Sequence, residues 1–175
     1  MLTIHDEDVL FTALQIQQGV AQVAAKLNHR YQDLVMITVV PGGLFFSADL
    51  ARQLTAKLSI DTISCPHTPG ENENRSPIIF QQNVQLTGRD VVLVDDAIES
   101  GGTMARLVSY LTQHYQPRSL AVATLFVKAA RRTIEIPQYY AYEVDTADLL
   151  VGYGLPWNDQ YRNLPYIACL PASTR

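Results

Sequence analysis

Cysteine, surplus charge and long apolar runs are all scarce in this chain, and each scarcity closes a class of function. Cys65 and Cys169 are the two cysteines among 175 residues. They lie far apart and lack Cys-x-x-Cys or Cys/His ligand spacing, so both are expected to be free thiols. His5, His29, His67 and His114 are scattered, and a surface role is expected for each ahead of a metal role. Lysine and arginine number 13 against 17 aspartates and glutamates, a net charge of −4, which lacks the basic footprint of non-specific nucleic-acid binding. No apolar run reaches the roughly 18 residues of a membrane span, and no charged-apolar-small leader opens the chain. A cytoplasmic location without membrane contact is therefore expected. Repeats, low-complexity segments and interdomain linkers are missing too, so residues 1–175 are expected to form one domain with a small appended lobe.

What is present is a core: 47% of the residues are hydrophobic and 17% charged, enough for one packed domain. Leu34–Val40, Val91–Val94 and Ser119–Val127 are continuous apolar runs, the pattern of strands covered on both faces. Apolar spacing from Asp6 to Asn28 predicts an amphipathic helix whose dipole Asp6, Glu7 and Asp8 complement. A second helix is predicted over Leu44–Leu58, and a third opens at Met104. Ser59–Ser64 alternates as a strand, with Pro77–Gln81 as a candidate partner. Cys65–Ser76 between them is polar and rich in Pro, Gly and Asn, a composition usual in lids or mobile tips. Tyr139–Val144 and Leu149–Val151 read as short strands before an aromatic, irregular tail. The expected fold is α/β, a central mainly parallel sheet flanked by helices.

Two strand–loop–helix units carry the chemistry. After Val91–Val94 come Asp95 and Asp96, then the small-residue loop Glu99-Ser100-Gly101-Gly102-Thr103. Glycines admit close backbone approach, and N–H groups at a helix start converge with partial positive charge, so this loop suits a phosphate. The paired acids repel phosphate and suit sugar hydroxyls, a metal ion, or both. Pro41-Gly42-Gly43 after the Leu34–Val40 run forms the second loop. In open α/β sheets ligands bind at the carboxyl ends of the strands, where both loops are expected to lie.

Val-Val-Leu-Val-Asp95-Asp96-Ala97-Ile98-Glu99-Ser100-Gly101-Gly102-Thr103 resembles the phosphoribosyl pyrophosphate signature of the type I phosphoribosyltransferases. Phe126-Val-Lys128 with two following arginines, and Leu-Val-Gly-Tyr-Gly-Leu leading to Tyr-Arg162-Asn-Leu-Pro-Tyr, resemble the hypoxanthine-guanine branch of that family. With Val39-Val-Pro-Gly-Gly and Ala-Asp-Leu50, the likeness spans about residues 30 to 167 in the same order. The resemblance implies transfer of ribose 5-phosphate from phosphoribosyl pyrophosphate to N9 of hypoxanthine or guanine, giving IMP or GMP and pyrophosphate. It implies that residues 95–103 bind the ribose phosphate, with Asp95 and Asp96 on the ribose hydroxyls, directly or near Mg²⁺. Pro41, Gly42, Gly43 and Arg162 are implied for pyrophosphate, with Arg132 a further arginine candidate for phosphate. Lys128 is implied as donor to the purine O6, and Leu149, Leu150 and Val151 as the purine wall. It also implies a hood formed by about residues 145–175, with the N-terminal segment a further candidate, and a homodimer or homotetramer.

Departures from the family pattern mark where this chain is individual. Glu99 stands where the family has an aspartate acting as general base, and the added methylene moves the carboxylate by about a bond length, in chemistry sensitive to about 1 Å. Pro156 replaces an aspartate that helps hold metal and purine, Leu149 replaces a stacking aromatic, and Ser64 is followed by Cys65 where a Ser-Tyr pair is usual. Pro41 takes a place where other residues often form a cis peptide; a prolyl cis bond costs about 0.5–1 kcal/mol against about 3–4 for other residues, so Val40–Pro41 is expected to be cis. Two alternatives stand beside the main expectation: a xanthine or other 6-oxopurine phosphoribosyltransferase, and a non-catalytic nucleotide-binding regulator on the same fold.

Overall fold

Buried apolar runs occupy the centre of the main sheet, because only strands covered on both faces tolerate unbroken apolar sequence. The computed structural model describes residues 4–66 and 75–170. In chain order it contains β1 (Val9–Phe11), α1 (Ala13–Arg30), β2 (Asp33–Val40), α2 (Leu44–Ala51), β3 (Lys57–Ser64), β4 (Asp90–Ile98), α3 (Gly102–Tyr115), β5 (Ser119–Lys128), β6 (Gln138–Val144), β7 (Leu149–Val151) and β8 (Ile167–Leu170). Five strands pair in the order β3-β2-β4-β5-β6, all parallel. Helices α1 and α2 cover one face, where Val20, Leu27, Phe46 and Leu50 meet Met36, Val92 and Val94. Helix α3 covers the other, with Met104, Leu107 and Leu111 against Ile37, Val91 and Leu93. The alternation of even and odd strand positions between two cores is what a sheet with helices on both sides demands.

A second, antiparallel sheet of order β1-β8-β7 joins the two ends of the described chain. It corrects the predicted helix over Asp6–Asn28. Asp6–Asp8 form a 3-10 turn, and Val9 and Phe11 pair with Ala168 and Ile167. The helix begins after Thr12, whose side chain accepts from the Gln15 N–H while Gln15 accepts from the Thr12 N–H, a reciprocal cap. The acids at 6–8 thus precede a strand and do not cap α1.

Other boundaries also differ from expectation. Helix α2 stops at Ala51, and Lys57 and Leu58 leave the predicted helix to pair with Asp33 and Leu34. Pro77–Gln81 contributes one antiparallel bridge, Ile79 to Ser64, in place of a strand. The chain just beyond it is tied down by Asp61, which accepts from the backbone N–H groups of Asn83 and Val84. Residues 67–74 of the predicted lid loop, including His67, lie outside the described residues. Cys65 and Cys169 are not joined in a disulfide among the described residues. Among the described residues, no helix is long and apolar enough to cross a membrane.

Candidate active site

Strand β4 runs further than its apolar core suggests. Pairing with β5 continues through Asp95–Thr124, Ala97–Phe126 and Ile98–Val127, so residues 95–98 belong to the strand and the phosphate loop proper is Glu99 to Gly101. Helix α3 then starts at Gly102, two residues ahead of the expected Met104. Gly101 caps it with φ of 80° and brings no side chain, leaving the positive end of the dipole open to the loop. The Ser100 hydroxyl accepts from Gly102 N–H at 3.3 Å. Ile98 is buried in the α3-side core, so it offers the site backbone and no side chain.

The second loop meets the first across the carboxyl edge of the sheet. Val40–Pro41 is cis, as expected. A Cβ on Gly42 would come within 2.9 Å of Asp96 Oδ2 and 3.1 Å of Asp95 Oδ1, so only glycine lets this loop lie against the acid pair. Gly154, from the aromatic tail, packs on the same spot: a Cβ there would overlap the Gly42 carbonyl oxygen and come 2.8 Å from Asp96 Oδ2. Arg162 Nη1 donates to the Gly154 carbonyl at 2.6 Å. The structure thereby brings together Gly42, Asp95, Asp96 and Arg162, which the sequence spreads over about 120 positions.

Burial dominates the electrostatics here. It holds the Asp95 carboxyl well above the usual carboxylate range, with the Asp96 charge adding to the rise and Arg162 opposing it. Burial also pushes Asp96 up to about 6, helped by the Glu99 charge and opposed by hydrogen bonds from its neighbours and by Arg162. Two adjacent carboxylates, Asp95 partly buried and Asp96 buried, resist ionising together, so the pair is suited to a cation or hydroxyl donors.

On the other flank, Lys128 ends β5 and its Nζ lies 2.8 Å from Glu99 Oε2, with the lysine 14% and the glutamate 44% exposed. The same Nζ donates to the Asp148 carbonyl at 3.2 Å. Nothing local in the sequence links these two side chains; the ion pair follows from the parallel register that sets the ends of β4 and β5 side by side. Leu149 is half-buried beside them, whereas Leu150 and Val151 are buried in core clusters and so present no open side-chain wall. Arg132 packs over Gly101 and its N–H donates to the Ser100 carbonyl. Arg131 is taken up by Glu143 and the Tyr140 ring.

Residues 8–158 match the phosphoribosyl transferase domain family. The chain belongs to that family. A hypoxanthine-guanine phosphoribosyltransferase of Bacillus subtilis (strain 168) is 34% identical over 172 residues, covering 95% of this chain and 94% of the relative. A hypoxanthine phosphoribosyltransferase of Escherichia coli (strain K12) is 28% identical, covering 93% and 94%. Among solved structures, a hypoxanthine-guanine phosphoribosyltransferase from Bacillus anthracis superposes with a TM-score of 0.84 at 30% identity, covering 93% of this chain and 98% of that one. The type I phosphoribosyltransferase fold expected from the motif is the fold observed. The matched segment contains both loops and Lys128.

Proposed function

We propose that the protein is a purine-salvage phosphoribosyltransferase acting on hypoxanthine and guanine, with phosphoribosyl pyrophosphate as donor. The observation that carries this reading is a two-sided site: Gly42, Asp95, Asp96 and Arg162 on one flank of the 99–103 loop, and the Lys128–Glu99 pair on the other. The loop accepts the 5′-phosphate through N–H groups and the Ser100 and Thr103 hydroxyls. Asp95 and Asp96 orient the ribose hydroxyls. Pro41, Gly42, Gly43 and Arg162 hold pyrophosphate, whose charge a guanidinium matches well. In the reaction the C1–O bond to pyrophosphate breaks, the C1–N9 bond forms, and the purine proton passes to the Glu99 carboxylate. Lys128 donates to the O6 acceptor of the base and disfavours adenine, whose 6-amino group is itself a donor.

Mg²⁺ fits this donor set. It commonly takes one or two protein carboxylates and completes its shell with substrate phosphate and water. Asp95 and Asp96 supply such carboxylates, and among the described residues no cluster of three acidic, histidine or cysteine groups forms a protein-only cage. Bound there, the ion would neutralise charge on the departing pyrophosphate.

The β1-β8-β7 sheet, with residues from about 145 to 170 and β1 from the N-terminal side, forms the hood of a single domain over this site. Leu149, half-buried, serves as the accessible part of the purine wall. The protein works in the cytoplasm as a homodimer or homotetramer, a state that sedimentation reads directly. The test of function is purified protein with phosphoribosyl pyrophosphate, Mg²⁺ and hypoxanthine, guanine, xanthine or adenine in turn, followed for nucleotide and pyrophosphate. Products with the 6-oxopurines and none with adenine are expected. Xanthine as the one productive base would move the assignment to that branch, and nucleotide binding without product from any base would make the protein a regulator.

A further inference from the structure

The chemistry above gives no part to Tyr153, yet its placement is demanding. It is 6% exposed and adopts a left-handed φ of 49°, between Gly152 at 105° and Gly154 at 109°. Such a backbone is uncommon for a bulky residue, and surrounding contacts must hold it. Its hydroxyl donates to Asp49 Oδ2 at 2.7 Å, and its ring centroid lies 6.3 Å from that of Phe45. Phe45 and Asp49, four positions apart, share one face of α2. Burial and the adjacent Asp49 carboxylate push the phenol's pKa up, so it remains a donor.

Helix α2 is the direct continuation of the Pro41–Gly43 loop, with Gly43 as its N-cap. On the other side of the phenol, Gly154 is tied to Arg162 twice: its N–H donates to the Arg162 carbonyl at 2.9 Å, and its carbonyl accepts from Arg162 Nη1. The Gly154 backbone is in turn pressed on Gly42 and Asp96. The 152–154 turn therefore joins α2, the pyrophosphate loop and the arginine, and the phenol–carboxylate bond is its anchor on α2.

We propose that Tyr153 is a positioning residue for the pyrophosphate half of the site: its bond to Asp49 docks the 152–154 turn on α2 and thereby sets the Arg162 guanidinium against Gly42 and the Asp95–Asp96 pair. The inference rests on the phosphoribosyl pyrophosphate reading above. It separates the two halves of the site, because Lys128 and Glu99 are held by β5 and the β4–α3 loop. Loss of the anchor weakens phosphoribosyl pyrophosphate and pyrophosphate and spares the purine.

The experiment compares Tyr153→Phe, Asp49→Ala, Asp49→Asn and the double variant Tyr153→Phe/Asp49→Ala with the unaltered protein. Thermal midpoint, kcat and KM for phosphoribosyl pyrophosphate and hypoxanthine are measured, together with calorimetric binding of magnesium pyrophosphate. Tyr153→Phe and Asp49→Ala are expected to raise KM for phosphoribosyl pyrophosphate roughly tenfold, the scale of a lost hydrogen bond to a charged group. KM for hypoxanthine stays within about twofold on the same scale. Asp49→Asn, whose amide oxygen still accepts from the phenol, recovers most of the loss. The double variant is no worse than either single one, since both remove one bond. An unchanged KM for phosphoribosyl pyrophosphate in a folded Tyr153→Phe or Asp49→Ala protein overturns the proposal, as does an equal rise in both KM values or a lowered midpoint alone. If the unaltered protein makes no nucleotide, the functional reading fails by itself, and calorimetry decides the positioning role. Pyrophosphate affinity lost in Tyr153→Phe then supports it, and affinity unchanged, or absent from the unaltered protein, overturns it.

Discussion

Glu99 reaches Lys128, its Oε2 lying 2.8 Å from the lysine Nζ. The glutamate is 44% exposed while the lysine is 14% exposed, so water screens the pair from the carboxylate side only. In the proposed reaction the two groups would part and meet different atoms of the base, Glu99 as proton acceptor and Lys128 as donor to O6. Glu99→Gln is expected to lower kcat by about a hundredfold or more, the lower range of general-base effects, with a smaller change in KM. Steady-state kinetics checks it, and unchanged turnover removes Glu99 from the role of base. Lys128→Met removes the donor to O6, so the preference for hypoxanthine over adenine, compared as kcat/KM, should fall by about tenfold or more, one buried hydrogen bond's worth.

Elements are fastened at their ends, and those fastenings are where substitutions act on stability. Asp61 on β3 is buried, which raises its pKa, but hydrogen bonds from Asn83, Thr62 and Val84 outweigh burial and leave it below the usual carboxylate value. A depressed carboxylate stabilises the fold above its unfolded pKa, about 3.9, and that contribution is lost as pH falls through the folded value. Asp61→Asn is thus expected to lower the urea midpoint at pH 7, while the difference from the unaltered protein shrinks below about pH 4; paired unfolding curves at the two pH values test the sign. The 152–154 turn is fastened by close approach. Gly154→Ala places a Cβ on the Gly42 carbonyl at a φ of 109°, and should cost at least about 2 kcal/mol, as strain and overpacking together do. Denaturant unfolding measures it.

For the molecule as a whole, the site is a place where stability is given up. Asp95, partly buried, and Asp96, 8% exposed, sit side by side at the carboxyl edge of the sheet, and burial raises the pKa of both. Asp96→Asn keeps the shape and removes a charge that burial disfavours, so the ligand-free protein should gain about 1–3 kcal/mol, at 1.36 kcal/mol per pKa unit. Thermal melts without ligand show the gain; activity falls in the same variant. An unchanged or lowered midpoint would mean that the pair is not strained in the free protein.

Much of the main sheet was legible because its signal is local. The unbroken runs in β2, β4 and β5 require burial on both faces, and glycines within three residues of the ends of β2 and β4 mark loops suited to close backbone approach. The Asp95–Thr103 order could be read as a ribose-phosphate cradle for the same reason: all of its parts lie within nine consecutive residues. Periodicity misled at Asp6–Phe11, where an apolar spacing that suits a helix became a strand because its partner, β8, lies more than 150 residues along the chain. The Lys128–Glu99 pair, the contact of Gly154 with Gly42 and Asp96, and the Tyr153–Asp49 bond depend on the same kind of distant neighbour. Residue types and their short-range order specify which chemistry is available; strand register and the return of the tail across the sheet edge set which groups touch, because those contacts form only when the whole chain is packed.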